Sequence, residues 1–175
     1  MRSGAHKRIA VCIGSICGLD IKEMKKGSVC PDKVANNLHP PNPHMFLGYP
    51  HHKGTTERLR NLILHLRMER LRGEINPLFL GVLTHFIADK WCYSSDKGNI
   101  HDEFERRLER VKIDPKWAQV NVMDASILDT IPYNYPFLDF GEKPSEVEAM
   151  KGAFQESLTA VKSIISDIYP PQEYY

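Results

Sequence analysis

Charge of one sign is what this sequence most lacks. Lys and Arg number 23 against 22 Asp and Glu, a formal net charge of +1 in 175 residues. Proteins that grip nucleic acid through its phosphates carry a basic excess, so there is no strong nucleic-acid signal. Long apolar runs are missing too, and no stretch approaches the roughly 20 residues a membrane-spanning helix needs. The basic segment Met1 to Ile9 leads into an apolar part that Gly14 and Ser15 interrupt, with no small-residue cleavage site before Asp20. It reads as a helix of the mature protein rather than an export signal. Cysteine is scarce: Cys12, Cys17, Cys30 and Cys92 include no C-x-x-C pair. That argues against a disulfide framework or a zinc knuckle. The expectation is reduced, mostly packed thiols in an intracellular, cytoplasmic protein. Alternation at period two is absent as well, and there is no internal repeat or low-complexity tract.

What is present is helical spacing. At this length one domain spanning residues 1–175 can bury a real core, and the pattern predicts an all-α bundle of about five to seven helices. Apolar groups at 9, 12, 13 and 16 mark a first helix over about 6–16, with Gly18 as its stop. A polar link follows from Asp20 to Gly27, then the phrase Gly27-Ser28-Val29-Cys30-Pro31-Asp32, in which proline holds Asp32 at a turn or helix start. Residues 36–55 read as a long loop carrying four histidines, His39, His44, His51 and His52. Long loops in compact domains tend to be functional or disordered. Thr55 or Thr56 opens a helix with the stripe Leu59, Leu62, Ile63, Leu66, Leu71, ended by Gly73. His65 falls among its arginines and is read as solvated. Asn76-Pro77 opens a central helix running through Trp91, and another covers about 100–111. Residues 112–142 look irregular. Ser145 and Glu148 form a capping box for a last helix, whose apolar stripe runs from Val147 to Ile168 and which Pro170-Pro171 stops.

Two of these helices each set a histidine and a carboxylate four residues apart, His85 with Asp89 and His101 with Glu105. Positions i and i+4 share a helix face, so each pair can aim a nitrogen and an oxygen at one point, as a divalent ion requires. One such pair is common by chance. Two pairs 16 residues apart, the first within the apolar run Gly81 to Ala88, are not. Buried charge must be paired or metal-bound, and a metal cleft would satisfy both groups. His and carboxylate donors suit Zn2+, with Mn2+ or Fe2+ as harder alternatives.

Taken in order, His6, Gly27-Ser28-x-x-Pro31-Asp32, a loop histidine, His85-Phe86-Ile87-Ala88-Asp89 and His101-x-x-x-Glu105 resemble the zinc-dependent phospholipase C family. The likeness covers roughly residues 6–110, and the wider superfamily includes single-strand nucleases. It implies an all-α bundle around a cleft for up to three zinc ions. By that resemblance Asp32, His51 or His52, His85 and Asp89 hold one ion. Asp89 bridges to a second that takes His6, and His101 with Glu105 holds a third. The chain departs from the pattern twice. That family uses an N-terminal tryptophan amine and carbonyl as ligands, where this sequence starts at Met1. It also places a histidine soon after the bridging Asp, and none occurs here between 85 and 101, although Asp96 lies in that interval. One to three ions are therefore left open.

The activity implied is metal-assisted hydrolysis of a small phosphoester or lipid headgroup, with Asp32 and Asp89 as the catalytic carboxylates and Asp32 orienting or deprotonating water. Phe46, Tyr49, Trp91 and Tyr93 are candidate cleft walls. An HD-type phosphohydrolase is the alternative, using His101-Asp102 with His85 and a downstream Asp124 or Asp129. A non-catalytic metal-binding helical module is a third reading.

Overall fold

A computed structural model describes residues 1–32, 55–92, 98–119, 127–130 and 144–166. Among these, 79% are helical, in seven α-helices with no strand. Helix α1 spans Ser3–Cys17, α2 Ile21–Gly27, α3 Thr55–Leu71, α4 Pro77–Lys90, α5 Gly98–Leu108, α6 Ile127–Thr130 and α7 Glu146–Ile165, with a 3-10 turn at Pro115–Ala118. A further helical turn opens at residues 30–32. The all-α expectation holds.

The centre of the fold is α4. Asn76 caps it by accepting from the Phe79 amide, with Pro77 at its first position, the arrangement that suits proline's fixed angle and missing N–H. Every residue from Leu80 to Lys90 is buried, so this helix is enclosed on all sides rather than half-submerged. Around it pack α1, α2, α3 and α7. From α1 come Ala5, Ile9, Ala10 and Ile13; from α3, Leu59, Leu62, Ile63 and Leu66; from α7, Met150, Ala153, Phe154, Leu158, Val161 and Ile164. Helix α5 adds Phe104 and Leu108, both fully buried.

Helix ends largely follow their sequence signals. Gly18 ends α1 with φ 65 and Gly73 follows α3 with φ 80, left-handed angles that glycine adopts without a Cβ penalty. Ser145 and Glu148 close a capping box on α7. Long-range bonds then tie the ends down. Arg8 of α1 donates to the Glu109 and Val111 carbonyls beyond α5, and Arg70 of α3 donates to the Ile165 carbonyl at the end of α7, 3.1 Å away. At the other end of α4, Lys90 and the Trp91 indole both reach Glu156 of α7, the indole at 2.6 Å. The Trp91 ring lies against Gly152, where a Cβ would strike it.

Three expectations need correction. The segment from Asp20 to Gly27 is a helix, not a link, because the Asp20 carboxylate accepts from the Lys22 and Glu23 amides and so starts a turn too short to show periodicity. Leu71 and Val147 are exposed, each falling at a helix terminus where the apolar stripe has already left the core. His65 is not simply solvated: it sits 3.0 Å from Glu69 Oε1 one turn on and meets the Phe79 ring edge-on. Trp91 is half-buried, with its indole bonded to Glu156. The loop expectation for 36–55 falls almost wholly outside the described residues, as do Phe46, Tyr49 and Tyr93.

Candidate metal centre

Two glycines decide how closely the central helix approaches its neighbour. A Cβ on Gly27 would overlap the Leu78 carbonyl, and one on Gly81 would overlap the Met24 carbonyl. With hydrogen in both places, α2 lies backbone to backbone on α4. This brings the Ser28 carbonyl within 2.9 Å of His85 Nδ1. A carbonyl only accepts, so Nδ1 carries the hydrogen and the ring turns Nε2 toward the carboxylates. Metal-binding histidines are oriented in this way by a backbone carbonyl on the far nitrogen.

Nε2 of His85 lies 3.2 Å from Asp89 Oδ2, one helical turn away, and 3.7 Å from Asp32 Oδ1. Helix α1 contributes His6, whose ring stacks on that of His85 with centroids 4.1 Å apart and planes 22° from parallel. His6 Nε2 is 3.1 Å from Asp89 Oδ1, and Nδ1 has no hydrogen-bond partner. The Met1 amine fits 2.8 Å from the same Oδ1 and 2.7 Å from Glu105 Oε1. Cys92 Sγ closes the far end, 3.8 Å from Glu105 Oε1.

Asp89 thus divides its two oxygens between two sets of partners, Oδ2 to His85 and Oδ1 to His6 and the amine. Donor atoms of His6, His85 and Asp89 all lie within 4.8 Å of one another, and all three residues are buried. Donors tetrahedrally bound at zinc distances stand about 3.4 Å apart, close to the separations seen here. A ring nitrogen of His6 buried without a hydrogen bond is costly by ordinary rules, and a divalent ion near these donors would offset the cost of burying them. The donor set fits such an ion.

The electrostatics agree. Burial opposes the charge on Asp89, but the Met1 ammonium and the two imidazoles hold its carboxyl well below the usual range. Burial, helped by the charge of His85, lowers His6 to about 4, so its ring is neutral and ready to ligate at neutral pH. His85 is pulled the other way: burial is overcome by Asp89, Asp32 and the Ser28 carbonyl, and its pKa rises. Burial also opposes the Met1 charge, yet Asp89, Cys92 and Glu105 raise the amine's pKa well above its ordinary value. Burial pushes the Cys92 thiol up to about 12.

Of the residues expected from sequence, His6, Asp32, His85, Asp89 and Glu105 converge here from four separate segments. His51, His52, Asp96, Asp124 and the side chain of His101 lie outside the described residues. Asp102 is exposed on α5, and exposed Asp129 pairs with Arg67; neither reaches the centre. Two members were not anticipated. The Met1 amine arrives only through the packing of α1 on α4 and α5. Cys92 had a legible signal, three residues after Asp89 and so near the same helix face, which the absence of a C-x-x-C pair obscured. The other three cysteines are half-buried and form no disulfide among the described residues.

No family model, curated protein or solved structure matches the chain.

Proposed function

We propose that this chain is a metal-dependent hydrolase of phosphoesters, of the zinc-dependent phospholipase C type, acting on a small phosphoester or lipid headgroup in the cytoplasm. One observation carries the reading: buried His6 of α1 and buried His85 and Asp89 of α4 present donor atoms within 4.8 Å of one another. No helix among the described residues is long and apolar enough to cross a membrane, which agrees with a substrate reached from water or at a lipid surface.

His85 and Asp89 would hold one ion together with Asp32 and the loop histidine, His51 or His52. His6 and the other oxygen of Asp89 would face a second, and Glu105 with His101 a third. A bound divalent ion supplies Lewis acidity, polarising a phosphoryl oxygen and making water acidic enough to attack at neutral pH. The chain's own residues do the rest. The Ser28 carbonyl holds the His85 ring in one orientation. Asp32 is 30% exposed, against 5% for Asp89 and 14% for Glu105, so it stands at the solvent side of the cluster. From there it accepts a proton from the attacking water and releases it to solvent. Asp89 stays ionised and holds the two halves of the centre in register. Zinc is the expected ion and Mn2+ or Fe2+ the alternatives.

The HD-type alternative needs Asp102, which faces solvent, and leaves His6 and Asp32 without a role. Zinc-loaded protein should contain at least one ion per chain and hydrolyse bis-p-nitrophenyl phosphate. His85→Ala should lose both properties while its circular dichroism stays helical. Turnover no greater than that of His85→Ala would end the hydrolase reading, and metal without turnover would leave a structural module.

A further inference from the structure

Helix α3 carries apolar side chains on two faces. Leu59, Leu62, Ile63 and Leu66 are buried in the core, yet Leu64, Met68 and Leu71 on the opposite face are 57, 43 and 74% exposed. With exposed Glu57 and Asn61 these positions follow a 4-3-4-3 spacing from Glu57 to Leu71. That spacing is the seam one α-helix offers another in coiled-coil packing. Exposed apolar groups aligned in this way mark an interaction surface. The residues beside the seam share one sign. Arg60 and Arg67 precede Asn61 and Met68, while Arg58, His65 and Arg72 follow Glu57, Leu64 and Leu71. Flanking positions of this kind select a helix partner by charge.

We propose that α3 docks an acidic amphipathic helix of a partner protein, whose apolar seam meets Leu64, Met68 and Leu71 and whose Asp and Glu flanks face the arginines. Charge decides against a second copy of this chain. A parallel copy sets Arg72 of one chain against Arg67 of the other. An antiparallel copy in apolar register sets Arg67 against Arg67 and Arg58 against Arg72. Width decides against a lipid surface. A helix lying in a bilayer interface sinks a broad apolar face, whereas this stripe is two positions wide and begins with Glu57 and Asn61. Acidic groups of the chain itself do not cancel the flanks. Asp129 pairs with Arg67 at 3.1 Å in an exposed contact that water screens, and the five donors of a guanidinium can serve a second carboxylate. Glu69 holds His65 at 3.0 Å, so the arginines carry the selection, and exposed Glu74 lies past the end of α3. A seam of about two heptads suits a transient contact.

The test uses the full chain and two labelled synthetic peptides of three heptads, with leucine at the seam positions and either glutamate or lysine at the flanks. Anisotropy titrations should show the glutamate peptide binding about tenfold or more tightly than the lysine peptide, with the difference shrinking at high salt. Leu64→Gln with Met68→Gln should lose binding. Both positions are exposed, so circular dichroism and the melting temperature should stay those of the parent. Arg60→Glu with Arg72→Glu should reverse the preference toward the lysine peptide, a change that loss of fold cannot produce. Equal affinity for the two peptides, no binding of either, or glutamate-peptide binding that survives the Gln pair overturns the proposal. A dimer in sedimentation that the Gln pair dissolves also overturns it and assigns the face to a second copy. Pelleting with phosphatidylserine vesicles that the Gln pair abolishes overturns it in favour of a lipid surface. The unmodified chain decides the main comparison, and none of these outcomes bears on zinc binding.

Discussion

Gly81 lies one turn before His85 on the central helix, and replacing it with alanine tests how the fold builds the site. A methyl group there overlaps the Met24 carbonyl and comes within 3.0 Å of the Ser28 amide nitrogen. Both obstacles are backbone, so no side-chain rotation relieves them. Restoring ordinary contact requires α2 to retreat by about 1 Å. Overpacking of this kind costs about 1–3 kcal/mol, against which alanine recovers up to about 1 kcal/mol of helix propensity. With the middle of that cost and the full recovery the net loss is about 1 kcal/mol, and for a chain of this length the melting temperature should fall by about 2–4 °C. The same retreat stretches the 2.9 Å bond between His85 and the Ser28 carbonyl beyond hydrogen-bond range. Outer partners of this type are worth about 10–100-fold in metal affinity. Thermal melts of metal-free protein and zinc competition against a chromophoric chelator measure the two effects. Gly14→Ala is the control. Its Cβ would meet Ile21 and Met24 at 3.4–3.5 Å, ordinary contact, so it should be neutral or slightly stabilising and leave zinc affinity unchanged. A Gly81→Ala protein as stable and as zinc-avid as the parent would refute the claim that the α2–α4 approach orients His85.

Two further expectations concern buried charge. With its pKa lowered from 6.5 to about 4, His6 stays neutral in the folded chain while the unfolded chain takes up a proton below pH 6.5. Metal-free protein therefore loses stability from this residue as pH falls from 6.5 to 4, by at most about 3 kcal/mol. His6→Gln should flatten that part of the profile relative to the parent in urea titrations at several pH values, and an unchanged slope would contradict the assignment. Lys90 is buried and paired with Glu156, so Glu156→Gln should strand its ammonium and cost about 3 kcal/mol or more, read as a lower urea midpoint. A change within error would mean that Lys90 finds water or another partner.

How far the sequence reaches differs between the scaffold and the centre. The all-α architecture, the Gly18 stop, the Asn76-Pro77 start and the Ser145 capping box were all readable, because each is a local rule acting over a few residues. The His85–Asp89 pair was readable for the same reason, as a one-turn spacing inside an apolar run. The helical nature of Ile21–Gly27 was harder to see: seven residues hold one buried apolar side chain, Met24, and only the Asp20 cap announces the turn. Glu105 was readable as half of a second one-turn pair with His101, and Asp32 entered through the resemblance; nothing local says that either carboxylate joins the cluster around His85.

By itself, then, the sequence determined most of the segments that coil, several of their caps and stops, and which helix must lie at the centre, since hydrogen bonding and apolar spacing act along the chain. Only the tertiary structure decided that residues 1, 6, 32, 85, 89, 92 and 105 share one buried cluster. That convergence depends on the angle and closeness of helix packing, set by α2 resting against α4 where glycines remove the side chains between them. Donors far apart in sequence become neighbours through such contacts, and no periodicity records them.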